Sequence, residues 1–141
     1  MAREMWINLP VKDINQSKAF FTILGFSFDP KHSNSELACL VIGEKNVAVN
    51  LFKESTFETF TKNKISRTKH ATEVLFSIGA ESRDEVDGML KKAVNAGGTV
   101  FSESEEKDGW MYGGGFPDLD GHRWNVLYMD MSKMPKEQEH I

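Results

Sequence analysis

FPDLDGHRWNVLYMD, residues 116–130, decides how this chain is read. Asp118 to His122 is a polar turn built around Gly121, and it feeds a run of aromatic and branched residues, Arg123 to Met129, with strand character. In the alternation of a strand, Asn125, Leu127 and Met129 share one face. The position where an acid would close a catalytic site is held by the amide of Asn125.

Working outward from that strand, one pattern occurs twice. Trp6 to Val11 reads as a strand with Ile7, Leu9 and Val11 on one face and Trp6, Asn8 and Pro10 on the other. Asp13 followed by Gln16 marks a helix start. Ile14, Ser17, Phe20, Phe21 and Leu24 keep helical spacing, and Gly25 ends the helix. Strands are expected at Phe26–Phe28, Glu36–Ile42 and Asn46–Phe52. The same order then returns. Glu73–Ile78 is expected as a strand with Glu73, Leu75 and Ser77 on one face. Ser82 and Glu85 open a second helix whose stripe is Val86, Met89, Leu90 and Ala93, and Gly97-Gly98 ends it. Strands follow at Thr99–Ser102, around Trp110–Gly115, and at Arg123–Met129. Between the copies, Ser55 with Glu58 suits the cap of a short helix carrying Phe57 and Phe60. KNKISRTKH, residues 62–70, reads as a solvated basic linker. The polar tail SKMPKEQEHI, residues 132–141, is expected to fray or to pack on a partner subunit.

Composition bounds the function. The 141 residues carry a net charge of -4, with 40% hydrophobic and 11% aromatic residues. That is enough apolar material for one sizeable core, and the charge gives no reason to expect nucleic acid or an anionic membrane as partner. One cysteine, Cys39, excludes an internal disulfide, and its apolar surroundings LACLVIG make it a small core residue. The start MAREMWINLPVKD shows no signal peptide, and no apolar run has membrane-spanning length. A cytoplasmic protein is expected.

WINLPVKDINQSKAFFTILGF, SRDEVDGMLKKAVNAGG and FPDLDGHRWNVLYMD together resemble the vicinal-oxygen-chelate superfamily of glyoxalases, bleomycin-resistance proteins and extradiol dioxygenases. INLPVKD, SKAFF and MYGGGFPDLDGHRW look most like small bacterial glyoxalase-related proteins. The resemblance implies an α+β fold of two βαβββ modules forming a cupped mixed sheet with helices outside. It implies a single domain over 1–141: module one at about 3–53, a linker at 54–71, module two at about 72–130, and a tail at 131–141. It also implies a homodimer, and a divalent metal held by side chains at Trp6, about Asn50, Glu73 and Asn125.

Those four residues are poor ligands. An indole N–H only donates, Asn50 and Asn125 offer neutral carbonyl oxygens, and Glu73 alone is a strong donor. His32, His70, His122 and His140 do not restore a chelating spacing. No cofactor is therefore expected. The inner face, with Trp6, Asn8, Asn50, Phe52, Asn125 and Leu127, reads as a small-molecule site, and equally as packing or a subunit interface. Glu73 is the candidate acid or base, or else the partner of a nearby cation. DGWMYGGGF puts Trp110 and Tyr112 beside three glycines, either covering a planar ligand or packing across a hairpin. Three functions remain open: a metal-independent binder of apolar or aromatic compounds, a metal-dependent lyase or dioxygenase, and a dimeric structural or regulatory module.

Overall fold

The computed structural model describes residues 2–135. The chain forms two compact units that divide between Ala71 and Thr72. Each is a four-stranded mixed sheet, and the two repeat one topology.

Unit one runs β1 (Ile7–Val11), α1 (Ile14–Ile23), β2 (Ser27–Phe28), β3 (Leu37–Ile42), β4 (Val47–Lys53) and α2 (Glu54–Thr61). Its strand order is β1-β4-β3-β2, with β1 parallel to β4 and the others antiparallel. Unit two runs β5 (Leu75–Ala80), α3 (Arg83–Asn95), β6 (Ser102–Lys107), β7 (Met111–Pro117) and β8 (Arg123–Met129). Its order, β5-β8-β7-β6, is the same, again with one parallel pair. The expected α+β class and doubled βαβββ module are found, as two sheets of four strands.

The helices start and stop for local reasons. Asp13 caps α1 by accepting from the Gln16 N–H at 3.0 Å, and Ser82 caps α3 by accepting from the Glu85 N–H at 3.0 Å. The Glu85 carboxylate turns back to the Glu81 N–H at 2.8 Å, satisfying one more donor of that end. Both helices end alike. The Phe26 N–H bonds to the Phe21 carbonyl and the Gly25 N–H to that of Thr22; Gly98 and Gly97 repeat this on Ala93 and Val94. This closure puts Gly25 at φ +101° and Gly97 at φ +95°, where a Cβ would be strained.

Burial follows the alternation. In unit one Leu9, Val11, Leu40, Val49 and Leu51 are buried together with Phe20, Phe21 and Leu24 from α1 and its end. In unit two Trp124, Val126 and Phe116 are buried with Val86, Leu90 and Ala93 of α3. Aromatic contacts knit the second core: Trp124 lies parallel to Phe116 at 6.5 Å between centroids and 5.0 Å from Phe76.

Three expectations are corrected. Strand β5 begins at Leu75, so Glu73 lies outside it and is exposed. Ser55 does not cap α2; Lys53 occupies the cap position with no side-chain hydrogen bond, and Ser55 sits in the first turn. The strand expected at Thr99–Ser102 is instead Ser102–Lys107, SESEEK. That composition has little β propensity, but an edge strand needs only one partner, and its charge guards the open edge. Of the tail, Met131–Lys133 forms a 3-10 turn capped by Asp130. Residues 136–141, His140 among them, lie outside the described residues.

Candidate functional site

In unit one the face of the sheet turned away from the buried Leu9, Val11 and Leu51 carries Asn8, Asn50 and Phe52. Asn8 and Asn50 are direct partners across the parallel pair of β1 and β4. The Asn50 Nδ2 donates to the Asn8 Oδ1 at 3.2 Å. Asn8 is exposed and Asn50 half-buried. Phe52, two residues beyond Asn50, meets the α2 residue Phe60 edge-to-face at 5.1 Å between centroids. Trp6 precedes the strand and is 54% exposed. Sequence alternation therefore groups Asn8, Asn50 and Phe52 correctly. It does not reveal that the two amides are bonded to each other.

Unit two repeats the arrangement with different chemistry. Asn125 is opposite Ser77 across the parallel pair of β5 and β8, and Leu127 opposite Gly79. Leu75 and Met129, on the same alternation, are 50% and 44% exposed. Arg123 lies over the Phe101 ring at 4.3 Å, and that ring occupies the space a side chain at position 115 would need. The three glycines of β7 are therefore explained by close approach: Leu127 crowds Gly113, Leu90 and the β6 backbone crowd Gly114, and Phe101 crowds Gly115.

Trp110 and Tyr112 are not with Asn125. Tyr112 pairs with Tyr128, three residues along β8 from Asn125, which puts it on the other face of the sheet. Its hydroxyl donates to the Asp87 Oδ1 at 2.8 Å, and the Ser104 hydroxyl donates to the same oxygen at 2.5 Å. These two bonds, Ser104 first, hold the Asp87 carboxyl below its ordinary value, with a smaller push from the Lys91 charge. Arg83 stacks over the Tyr112 and Tyr128 rings and pairs with Glu106. Trp110 is buried, and its carbonyl accepts from the Asp130 N–H. Tyr112 thus faces α3 rather than the face of Asn125, and Trp110, just before β7, is buried. A surface cavity of about 640 Å³ opens beside this cluster, lined by Asp87, Leu90, Lys91, Val94, Glu103 and Ser104 among others. None of the residues expected at the site lines it. Asp87 and Ser104 escaped sequence reading because α3, β6 and β7 bring them together only in the fold.

The turn that opens the sequence reading is held by one carboxylate. Asp118 is buried, and its Oδ1 accepts from the Asp120 and His122 N–H groups at 3.0 Å each. Its Oδ2 accepts from the Trp124 indole at 3.1 Å. Burial pushes the Asp118 carboxyl up, opposed by the His122 charge and the indole hydrogen bond. His122 is buried in the same turn. The motif is thus a fastener between the β7–β8 turn and the core. Cys39 is a buried thiol whose pKa is pushed up by burial and then by the Asp29 charge, the environment of an unreactive sulfur.

The four positions implied for a metal do not fit one. Trp6 offers no lone pair, Asn50 and Asn125 offer only neutral carbonyl oxygens, and Glu73 is an exposed residue outside its strand. Among the described residues, no group of three or more His, Cys, Asp and Glu is placed to hold an ion.

Comparison with known proteins agrees with this architecture. The profile of the bleomycin resistance protein-like N-terminal family matches residues 3–43. A hypothetical protein from S. aureus is 32% identical and superposes with a TM-score of 0.81, over 91% of this chain and 94% of that one. A glyoxalase/bleomycin resistance protein/dioxygenase family enzyme from Burkholderia phytofirmans PsJN is 16% identical, with a TM-score of 0.74 over 88% and 96% of the two chains. A glyoxalase-related enzyme from Fulvimarina pelagi is also 16% identical, with a TM-score of 0.76 over 91% and 88%. At 16% identity the last two show the fold alone. No curated protein matches the sequence. The chain belongs to the vicinal-oxygen-chelate superfamily, the glyoxalase/bleomycin-resistance/dioxygenase group. No helix among the described residues is long and apolar enough to cross a membrane.

Proposed function

We propose that the protein binds an apolar or aromatic small molecule without a tightly held divalent metal. The observation that carries this reading is the Asn8–Asn50 pair. The last-strand position that would supply an acid to a metal instead carries an amide, already bonded to its neighbour. A neutral amide pair beside Phe52 and an exposed Trp6 suits a flat organic surface, which needs oriented polar groups and apolar contact but no Lewis acid. On the second sheet, exposed Leu75 and Met129 share the strand alternation of Asn125. Glu73 supplies an exposed carboxylate two residues before β5. We place the protein in the cytoplasm, where the Cys39 thiol stays reduced, and as a homodimer, which light scattering on a sizing column would check.

The function is tested by thermal unfolding against a library of aromatic and apolar compounds, each with and without nickel, zinc, manganese or ferrous iron. Several such compounds are expected to raise the melting temperature and the metals to leave it unchanged. A single metal ion that raises it stoichiometrically and reverses with chelator would instead support a metal-dependent lyase or dioxygenase.

A further inference from the structure

We infer that the ligand taken up beside Asn8 and Asn50 is a flat cyclic amide or imide, a lactam edge presenting one N–H next to one C=O. This rests on the small-molecule reading above and specifies its chemistry. The two amides form one hydrogen bond between themselves, Asn50 Nδ2 to Asn8 Oδ1. That leaves the Asn50 Oδ1 as an acceptor and the Asn8 NH₂ as a donor, with a second N–H on Asn50 and a second lone pair on Asn8, at facing positions of adjacent strands. Turning both amides over leaves the same pair, one carbonyl and one NH₂, with the owners exchanged. The pair therefore keeps a donor and an acceptor together and matches a lactam, which offers one N–H beside one C=O.

A carboxylate fits worse, because it has no donor to offer the Asn50 carbonyl. A hydrocarbon of equal size would leave both amide groups unpaired as it excluded water. The neighbours supply the rest of the recognition. Phe52 is held edge-on to Phe60, and Trp6 is more than half exposed one residue before the strand. Planar rings stack on such surfaces at little conformational cost.

Trp6 also provides the readout, because the other two tryptophans, Trp110 and Trp124, are buried at 6% and 1% exposure. Titrations of tryptophan fluorescence with 2-quinolinone, naphthalene and 2-naphthoate compare a lactam, a hydrocarbon and a carboxylate of one shape. The lactam is expected to bind at least about tenfold more tightly than either of the others, the value of one well-formed hydrogen bond made out of water. Asn50→Leu should remove that preference, so that 2-quinolinone no longer binds more tightly than naphthalene. Asn8→Leu, at an exposed position that carries no core packing, should do the same and guards against misfolding of the first variant. Equal binding of lactam and hydrocarbon, or a preference for the carboxylate, overturns the lactam assignment and leaves the small-molecule reading standing. Absence of binding by all three also overturns it. The small-molecule reading falls with it only if the compound library likewise produces no shift in melting temperature.

Discussion

Removing the Asp118 carboxylate should unfasten the β7–β8 turn, and the cost can be worked from its bonds. Asp118→Ala deletes three accepted hydrogen bonds, from the Asp120 and His122 N–H groups and the Trp124 indole. The His122 bond and the Trp124 bond are buried. Losing the acceptor for a buried donor costs about 1–3 kcal/mol each, so two buried donors and one part-buried donor predict about 3–5 kcal/mol. Relief of the buried charge offsets part of this and favours the lower end. That is still a large share of the ~5–15 kcal/mol that stabilises an ordinary domain. Asp118→Asn is a finer probe. Its carbonyl can keep both backbone donors, which share Oδ1, while its NH₂ faces the indole N–H, so about 1–3 kcal/mol is expected from that single bond. Trp124→Phe removes the indole donor. In the double variant, therefore, the penalty of Asp118→Asn should shrink relative to the single one, a coupling that a double-mutant cycle reads directly. Urea unfolding followed by far-ultraviolet circular dichroism measures the wild type and the four variants. A cost below about 1 kcal/mol for Asp118→Ala, or strict additivity in the cycle, would refute the carboxylate as fastener.

Two further outcomes follow from unit two. Gly114→Ala places a Cβ 2.6 Å from the Leu90 side chain and 2.8 Å from the Ser102 carbonyl oxygen. Because one neighbour is backbone, β6 must shift, and a loss of about 1–3 kcal/mol is expected by urea unfolding; an unchanged midpoint would contradict the packing described. The Asp87 carboxyl is held below 3.8 by Ser104 and then Tyr112. A depressed folded pKa contributes stability above the ordinary value and loses it as pH falls through the depressed one. Ser104→Ala should therefore be less stable than the wild type at neutral pH, with the gap closing in acid below 3.8, followed by thermal unfolding across pH. A gap independent of pH would show that Ser104 acts through packing alone.

Much of this protein was legible because its signals are local. The caps at Asp13 and Ser82, the Gly25 and Gly97 closures, and the period-two alternation of β1, β4, β5 and β8 each depend on residues a few positions apart. They gave the doubled module, the α+β class and the face shared by Asn8, Asn50 and Phe52. The opening turn was also visible as a turn. What escaped is whatever needed a distant partner. β6 has no strand propensity and exists because β7 offers a free edge. Glu73 stands outside β5 because the parallel pairing with β8 begins only at Leu75 opposite Arg123. Tyr112 faces α3 because β7 pairs with β8 in a register that no local pattern specifies, and Asp87 and Ser104 meet it only there. The sequence by itself determined which residue types stand at each place, including amides where acids would bind metal. Only the tertiary structure decided that Asn50 is bonded to Asn8 and that Asp118 is buried under Trp124, because a hydrogen bond between distant residues exists only once the strands that carry them have paired.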